Sequence, residues 1–214
     1  MLASAKRGLL LVFTTWLVVT GSVQAQTAWR EGEHYTVVNP AVRVGPSDQV
    51  IVTEFFWYGC GHCYTFEPML QTWKTSLPEG SSLQPSPAVW NDGMKLHAKA
   101  YYAAETLGVI DTLHGAIFKA MHVDRNRLAS KGAIRELFVA NGVAEAEFDK
   151  AFDSFGVNSQ VGQAEARARS AKISGTPSVL VNGKYLIEAR GAGSQANMLK
   201  IAEYLVQQEL ASGS

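Results

Sequence analysis

The twenty residues from Val50 to Met69, VIVTEFFWYGCGHCYTFEPM, constrain the fold of this chain more than any other stretch. An apolar run rich in β-branched and aromatic residues gives way to a short aromatic and glycine turn. Cys60-Gly61-His62-Cys63 then opens a helix-like segment. The order is strand, turn, dithiol, helix. At the first turn of a helix the backbone N–H groups lack partners and the helix dipole presents its positive end, and both favour a thiolate. The thiolate is the nucleophile of disulfide exchange and also its leaving group. His62, between the cysteines, can donate a hydrogen bond or positive charge to the same sulfur.

Cys60 and Cys63 are the only cysteines in 214 residues, so the chain is not a disulfide framework. A bridge across two residues removes little entropy from the unfolded chain, which leaves redox or metal chemistry as its use. A zinc site would need two further ligands from His34, His62, His97, His114 or His122, and none stands at finger-like spacing. Redox chemistry is therefore expected, with no metal and no cofactor.

Met1 to Ala25 reads as a signal peptide: Lys6 and Arg7, an apolar stretch from Leu9 to Val19, and small residues at Val23 and Ala25. The apolar run is shorter than the roughly 20 residues that a membrane span needs. Cleavage after Ala25 would leave residues 26–214, enough for one domain with an insertion. The whole chain balances 19 Lys and Arg against 19 Asp and Glu, and losing Lys6 and Arg7 takes the formal charge to −2. Such a balance offers no basic footprint for nucleic acid or an anionic membrane.

Tyr35 to Val38 is a short strand candidate, and Val50 to Trp57 reads as a strand buried on both faces, as in the middle of an α/β sheet. A helix is expected from His62 to about Ser76, kinked at Pro68. Leu83 to Trp90, interrupted by Pro85 and Pro87, fits an edge strand. From about Asn91 the periods become helical: Met94 to Leu107, Ile110 to His122, Ser130 to Asn141 and Ala144 to Phe155. A longer helix follows from Asn158 to about Lys172. Pro177 to Val181, Asn182-Gly183 and Tyr185 to Glu188 form the pattern of a hairpin with a type I′ turn, and a last helix spans Gln195 to about Glu209. Two sequence-distant strand groups around a helical block argue for one sheet completed from both ends of the chain.

Glu54 is the one residue of its strand with no easy structural reason. A buried carboxylate without a partner is costly, so either a role in proton transfer or a partner not visible in the sequence is expected. Phe66 reads as core, while Trp57 and Tyr58 are assigned either to the core or to the border of a groove. His97, His114 and His122 fall on helical periods and read as packed or solvated histidines.

Glu54-Phe55-Phe56, Cys60-Gly61-His62-Cys63-Tyr64, Leu77-Pro78-Glu79-Gly80, Thr176-Pro177 and Val181-Asn182-Gly183-Lys184-Tyr185 together resemble the DsbA-type thiol:disulfide oxidoreductases. The resemblance covers essentially the whole chain after the signal peptide. It implies an α/β fold: a thioredoxin fold with a central mixed β-sheet, 26–90 and 160–214, and an inserted all-helical domain, 91–159. It also implies a periplasmic enzyme that oxidises thiols of unfolded exported proteins and is itself reoxidised by a quinone-linked membrane oxidase of the DsbB type. Cys60 matches the attacking cysteine and Cys63 the resolving one. Pro177 matches a proline that is cis in the family and faces the dithiol, with Thr176 before it as a substrate-binding backbone. Glu54 matches a buried acid beneath the dithiol.

Two positions depart from the family pattern. Gly61 stands where these proteins usually carry proline, and Gly-His is the pair typical of protein disulfide isomerases, so an isomerase or reductase is the alternative within the class, and a metal-binding or chaperone module the alternative outside it. Pro85 stands where the family often places a lysine partner for the buried acid. Periplasmic isomerases generally dimerise through an extra N-terminal domain, whereas only the short piece from Gln26 to His34 precedes the first strand here. A monomer is expected.

Overall fold

The structure, a computed structural model, describes residues 29–45 and 48–213; the signal peptide expected over 1–25 lies outside them. The elements are β1 (Thr36–Val37), β2 (Val50–Phe56), α1 (Gly61–Lys74), β3 (Ser81–Pro87), α2 (Asp92–Thr106), α3 (Ile110–His122) and α4 (Lys131–Ala140). They continue with α5 (Glu145–Phe152), α6 (Phe155–Ala171), β4 (Ser178–Val181), β5 (Tyr185–Glu188), α7 (Ala189–Ala192) and α8 (Gln195–Ser212). The strands form one sheet in the order β1-β5-β4-β2-β3, with β2 parallel to β3 and antiparallel to β4. This is the mixed sheet expected, completed from both ends of the chain.

All seven residues of β2 are buried, Thr53 and Glu54 among them, as expected of a strand covered on both faces. Alternation along the strand sorts them by face. Val50 and Val52 pack with Phe66 and Leu70 of α1 and Ile201 and Leu205 of α8. Ile51 and Phe55 pack on the opposite side with Leu180, Leu186, Ala168 and Ala171. Glu54 shares the parity of Val52 and Phe56, so it lies on the α1 side. β3 forms the sheet edge, where Pro85 and Pro87 cost no ladder bond to a further strand.

The helical block has its own core, in which Leu113, Ile117, Ile134, Phe138, Phe148 and Phe152 are fully or almost fully buried. Phe56, Tyr58 and Cys63 belong to that same cluster and tie it to the sheet. Helix α6 begins among these residues through Val157, Val161 and Ala164 and ends against the sheet through Ala168 and Ala171. Its small-residue face permits both contacts. Side-chain caps start the helices where the sequence supplies them: Asn91 accepts from the Met94 N–H at 2.9 Å, Ser130 from Ala133 at 3.2 Å and Ser154 from Val157 at 3.1 Å. Helix α1 passes through Pro68 without ending there.

The β4–β5 hairpin turns at Asn182 (φ 49°) and Gly183 (φ 68°), both in the left-handed region that a type I′ turn demands. Gly183 also lies so close to the Val42 carbonyl that a Cβ would come within 1.9 Å of its oxygen. Behind the turn, Glu209 of α8 accepts from Asn182, from Lys184 at 2.6 Å and from the Tyr185 hydroxyl at 3.2 Å. Gly183→Ala is therefore expected to destabilise the fold by about 3 kcal/mol, from backbone strain and overlap together. Urea denaturation of the variant checks this.

Candidate active site

The dithiol sits where β2 hands over to α1. The turn that connects them closes with a bond from the Cys60 N–H to the Trp57 carbonyl at 2.9 Å. The Trp57 indole lies against Gly59, where a Cβ would approach the ring to 2.3 Å, so only glycine fits. Cys60 is then the N-cap of α1, in extended backbone (φ −88°, ψ 115°), with Gly61, His62 and Cys63 as the first three helical residues. A serine or aspartate at an N-cap receives the N–H groups of the second and third helical residues. Here the Cys60 sulfur stands near those N–H groups without closing a cap hydrogen bond, and their proximity favours its thiolate.

The two sulfurs are consequently unlike. Cys60 is partly exposed and Cys63 is buried. The Cys60 pKa is lowered to about 5, first by a hydrogen bond from the Cys63 thiol and against the effect of burial, then by the Thr176 side chain and the N–H groups of Cys63 and His62. No acidic residue lies in the first turn of α1 to oppose the thiolate. Burial pushes the Cys63 thiol far up, and the bond it gives to Cys60 and the nearby Glu54 charge add to the rise. At neutral pH Cys60 is a thiolate and Cys63 a thiol.

Thr176-Pro177 is cis and faces the dithiol, with the Cys60 sulfur 3.3 Å from the Thr176 carbonyl oxygen. As a thiol, Cys60 donates to that carbonyl; as a thiolate it is served by the Thr176 side chain instead. His62 is exposed, and its contribution to the lowered pKa comes from its backbone N–H. Its carbonyl accepts from the Gln195 amide of α8 at 2.6 Å, which fixes the first turn of α1 to the opposite end of the chain.

Glu54 is 1% exposed, and its Oε2 has no hydrogen-bond partner. Pro85 stands directly beside it in the β2–β3 register. Burial raises its pKa well above the usual carboxylate range, and the charges of Glu67 and Cys60 raise it further. Tyr58 is fully buried core, while Trp57 lines a cleft of about 550 Å³ beside Gly59, together with His97, Met121, His122 and Arg127. Among the described residues, no three His, Cys, Asp or Glu side chains cluster as metal ligands.

The histidines do more than pack. The Tyr58 hydroxyl is 2.7 Å from His114 Nδ1, and His114 Nε2 is 3.3 Å from Glu67, an ion-pair distance poorly aligned for a hydrogen bond. His122 Nε2 donates to the Tyr58 carbonyl at 2.7 Å and its ring stacks on Tyr64 at 4.7 Å. His97 Nδ1 accepts from the Trp57 indole at 3.0 Å. Three histidines of the helical block thus hold the turn that precedes Cys60. Their signal in the sequence is a stripe: His114, Phe118 and His122 recur every four residues on one face of α3. Glu67 likewise follows Cys63 by four residues on α1.

A thioredoxin fold carrying a stabilised thiolate at a helix N-cap, a buried thiol one turn deeper and a cis-proline loop opposite defines a thiol:disulfide oxidoreductase. A family model described as the DSBA-like thioredoxin domain matches residues 79–202. A thiol:disulfide interchange protein DsbA of Azotobacter vinelandii is 38% identical over 178 residues, covering 83% of each chain. That of Pseudomonas aeruginosa is 30% identical over 205 residues, covering 94% of this chain and 97% of its own. The crystal structure of Pseudomonas aeruginosa DsbA superposes with a TM-score of 0.83 at 31% identity, over 86% of this chain and 96% of that one. A Xylella fastidiosa DsbA structure gives 0.80 at 28% identity, over 85% and 98%. The chain belongs to the DsbA family of thiol:disulfide oxidoreductases.

Proposed function

We propose that the protein works in the oxidising direction, introducing disulfides into unfolded exported proteins in the periplasm through a reversible Cys60–Cys63 disulfide. The observation that carries this reading is the Cys60 thiolate, with a pKa lowered to about 5. A thiolate stabilised in the reduced protein has no counterpart in the disulfide, so the fold favours the dithiol and passes its disulfide on. Gly61 does not alter this reading, because the N–H donors to the sulfur belong to His62 and Cys63.

In substrate oxidation a substrate thiolate attacks Cys60 of the disulfide. The Cys60–Cys63 bond breaks and Cys63 leaves with the electron pair, taking a proton from Glu54. A second substrate thiolate attacks the substrate sulfur of the mixed disulfide and releases Cys60 as a thiolate. In reoxidation, Cys60 attacks the disulfide of a quinone-linked membrane oxidase of the DsbB type, Cys63 returns its proton to Glu54, and the new Cys63 thiolate displaces the partner. Thr176 and Pro177 offer backbone to the substrate segment beside its cysteine. His62 acts through its N–H at the sulfur.

The protein acts as a monomer in this reading, with residues 26–90 and 160–214 as the thioredoxin-like part and 91–159 as the helical insertion. Helix α6 bridges the two parts, packing in the helical core through Val157, Val161 and Ala164 and against the sheet through Ala168 and Ala171. Mixing the oxidised protein with a reduced, denatured disulfide protein tests the direction. Loss of two substrate thiols for each Cys60–Cys63 disulfide consumed is expected, and no loss of thiols contradicts oxidation.

A further inference from the structure

The cleft of about 550 Å³ beside Gly59 takes no part in the steps above, yet one of its lining residues is the neighbour of Cys60 in the chain. Arg127 and Ala129, from the segment between α3 and α4, also line it. That segment is held in a costly shape, with two non-glycine residues, Arg125 (φ 56°) and Leu128 (φ 46°), in the left-handed region. The Asn126 N–H donates to the Ala120 carbonyl at 2.8 Å, and the Asn126 side-chain oxygen accepts from the Leu128 N–H at 3.1 Å. The Leu128 side chain is fully buried in the core of the insertion. His97 completes the anchorage. Its Nδ1 accepts from the Trp57 indole at 3.0 Å, so Nε2 carries the hydrogen and donates to the Leu128 carbonyl at 3.3 Å. Through one histidine the segment that carries Arg127 is tied to the turn that carries Cys60.

The charge of the cleft has one sign. Asp124, the acid of that segment, is paired with Lys119 at 2.7 Å. Among the described residues, the lining holds no Asp or Glu, and neither Arg125 nor Arg127 enters an ion pair. Arg127 is exposed, while Trp57 and Met121 give the same cleft apolar surface. We propose that the cleft is a substrate subsite that takes an acidic side chain, Asp or Glu, close in sequence to the substrate cysteine joined to Cys60, with Arg127 pairing with its carboxylate. This rests on the reading above that unfolded exported proteins are the substrates. An extended chain advances about 3.3–3.6 Å per residue, so a segment bonded at Cys60 passes Gly59 within about two residues of its cysteine. Thr176 and Pro177 meet backbone and read no side chain, whereas Arg127 distinguishes one. An exposed ion pair adds little affinity but speeds encounter with segments of the right charge.

The test mixes the oxidised protein with short unstructured peptides that carry two cysteines and differ only in the residues flanking the first, which are Glu, Gln or Lys. Acid quench and mass analysis give the rate at which the Cys60–Cys63 disulfide is consumed. Each rate is divided by that of the same peptide with oxidised glutathione, which removes differences in thiol reactivity. The wild type is expected to prefer the Glu peptide over the Gln peptide by about five-fold at low salt. Arg127→Gln should bring that ratio to about one, and Arg127→Glu should move the preference to the Lys peptide. Arg125→Gln, outside the lining, should keep the wild-type ratio. Equal rates for all peptides in the wild type overturn the inference and leave the oxidising function standing. A preference that survives Arg127→Gln overturns it as well, and so does one that Arg125→Gln abolishes, since the charge would then act as a diffuse patch. If no peptide loses its thiols, the oxidising function falls and this inference with it.

Discussion

Cys63→Ser is expected to convert the protein into a trap, accumulating near-stoichiometric mixed disulfide with substrate disulfides, whereas Cys60→Ser forms none and loses exchange to background. The two sulfurs differ in access and in charge. Cys60 is partly exposed at the helix N-cap and its pKa is lowered to about 5, so it attacks at neutral pH. Cys63 is fully buried and held as a thiol, and it enters only after a mixed disulfide has formed. The serine hydroxyl of Cys63→Ser still donates to the Cys60 sulfur in place of the strongest hydrogen bond there, so attack survives while resolution does not. Non-reducing mass analysis after incubation with oxidised glutathione reads the adduct directly. Adducts on Cys60→Ser and none on Cys63→Ser would reverse the assignment of attacking and resolving thiols.

Glu54→Gln is expected to slow resolution by about 10²-fold and flatten its pH dependence, while Cys60 attack on a model disulfide stays close to wild type. The side chain lies on the α1 face of β2, buried, with Pro85 where a cation could have stood beside it. Burial, with the Glu67 and Cys60 charges, keeps its proton on beyond the pH at which a free carboxyl loses it. The same shift carries a stability consequence of definite sign. The unfolded carboxyl ionises near pH 4.3, roughly, while the folded one does not, so the folded state binds the extra proton and stability falls as pH rises toward the folded pKa. Glutamine removes that loss. The variant should match the wild type near pH 3 and exceed it by about 1 kcal/mol or more at pH 8 in urea denaturation. A wild-type advantage at pH 8 would mean that Glu54 is charged and paired in the folded protein.

What the sequence reveals of this molecule is what short-range pattern carries. The apolar run of β2, the Cys-x-x-Cys at a helix start and Asn182-Gly183 between two strands each state their structure within a few residues. The helices of the insertion follow from periodicity, and Ser130 caps the third of them. Helix α7, four residues long, has no period to find. The linkage of Tyr58, His114 and Glu67 was hidden for another reason: Tyr58 and His114 are 56 residues apart, and only the docking of α3 on the active-site turn joins them. A histidine on a helical period is usually just packed or solvated, and the stripe of His114, Phe118 and His122 gains meaning only once the face it meets is known. The position of Cys60 as N-cap, rather than inside the first turn, likewise decides which N–H groups reach its sulfur.

The central claim is that the fold stabilises the reduced protein through the Cys60 thiolate and so makes the disulfide a good donor. The equilibrium reduction potential of Cys60–Cys63 against glutathione at pH 7 tests it most directly. A value clearly above that of thioredoxin, about −270 mV, is predicted, with the excess shrinking as pH falls through about 5, where Cys60 takes up its proton. A potential at or below that of thioredoxin would contradict the account.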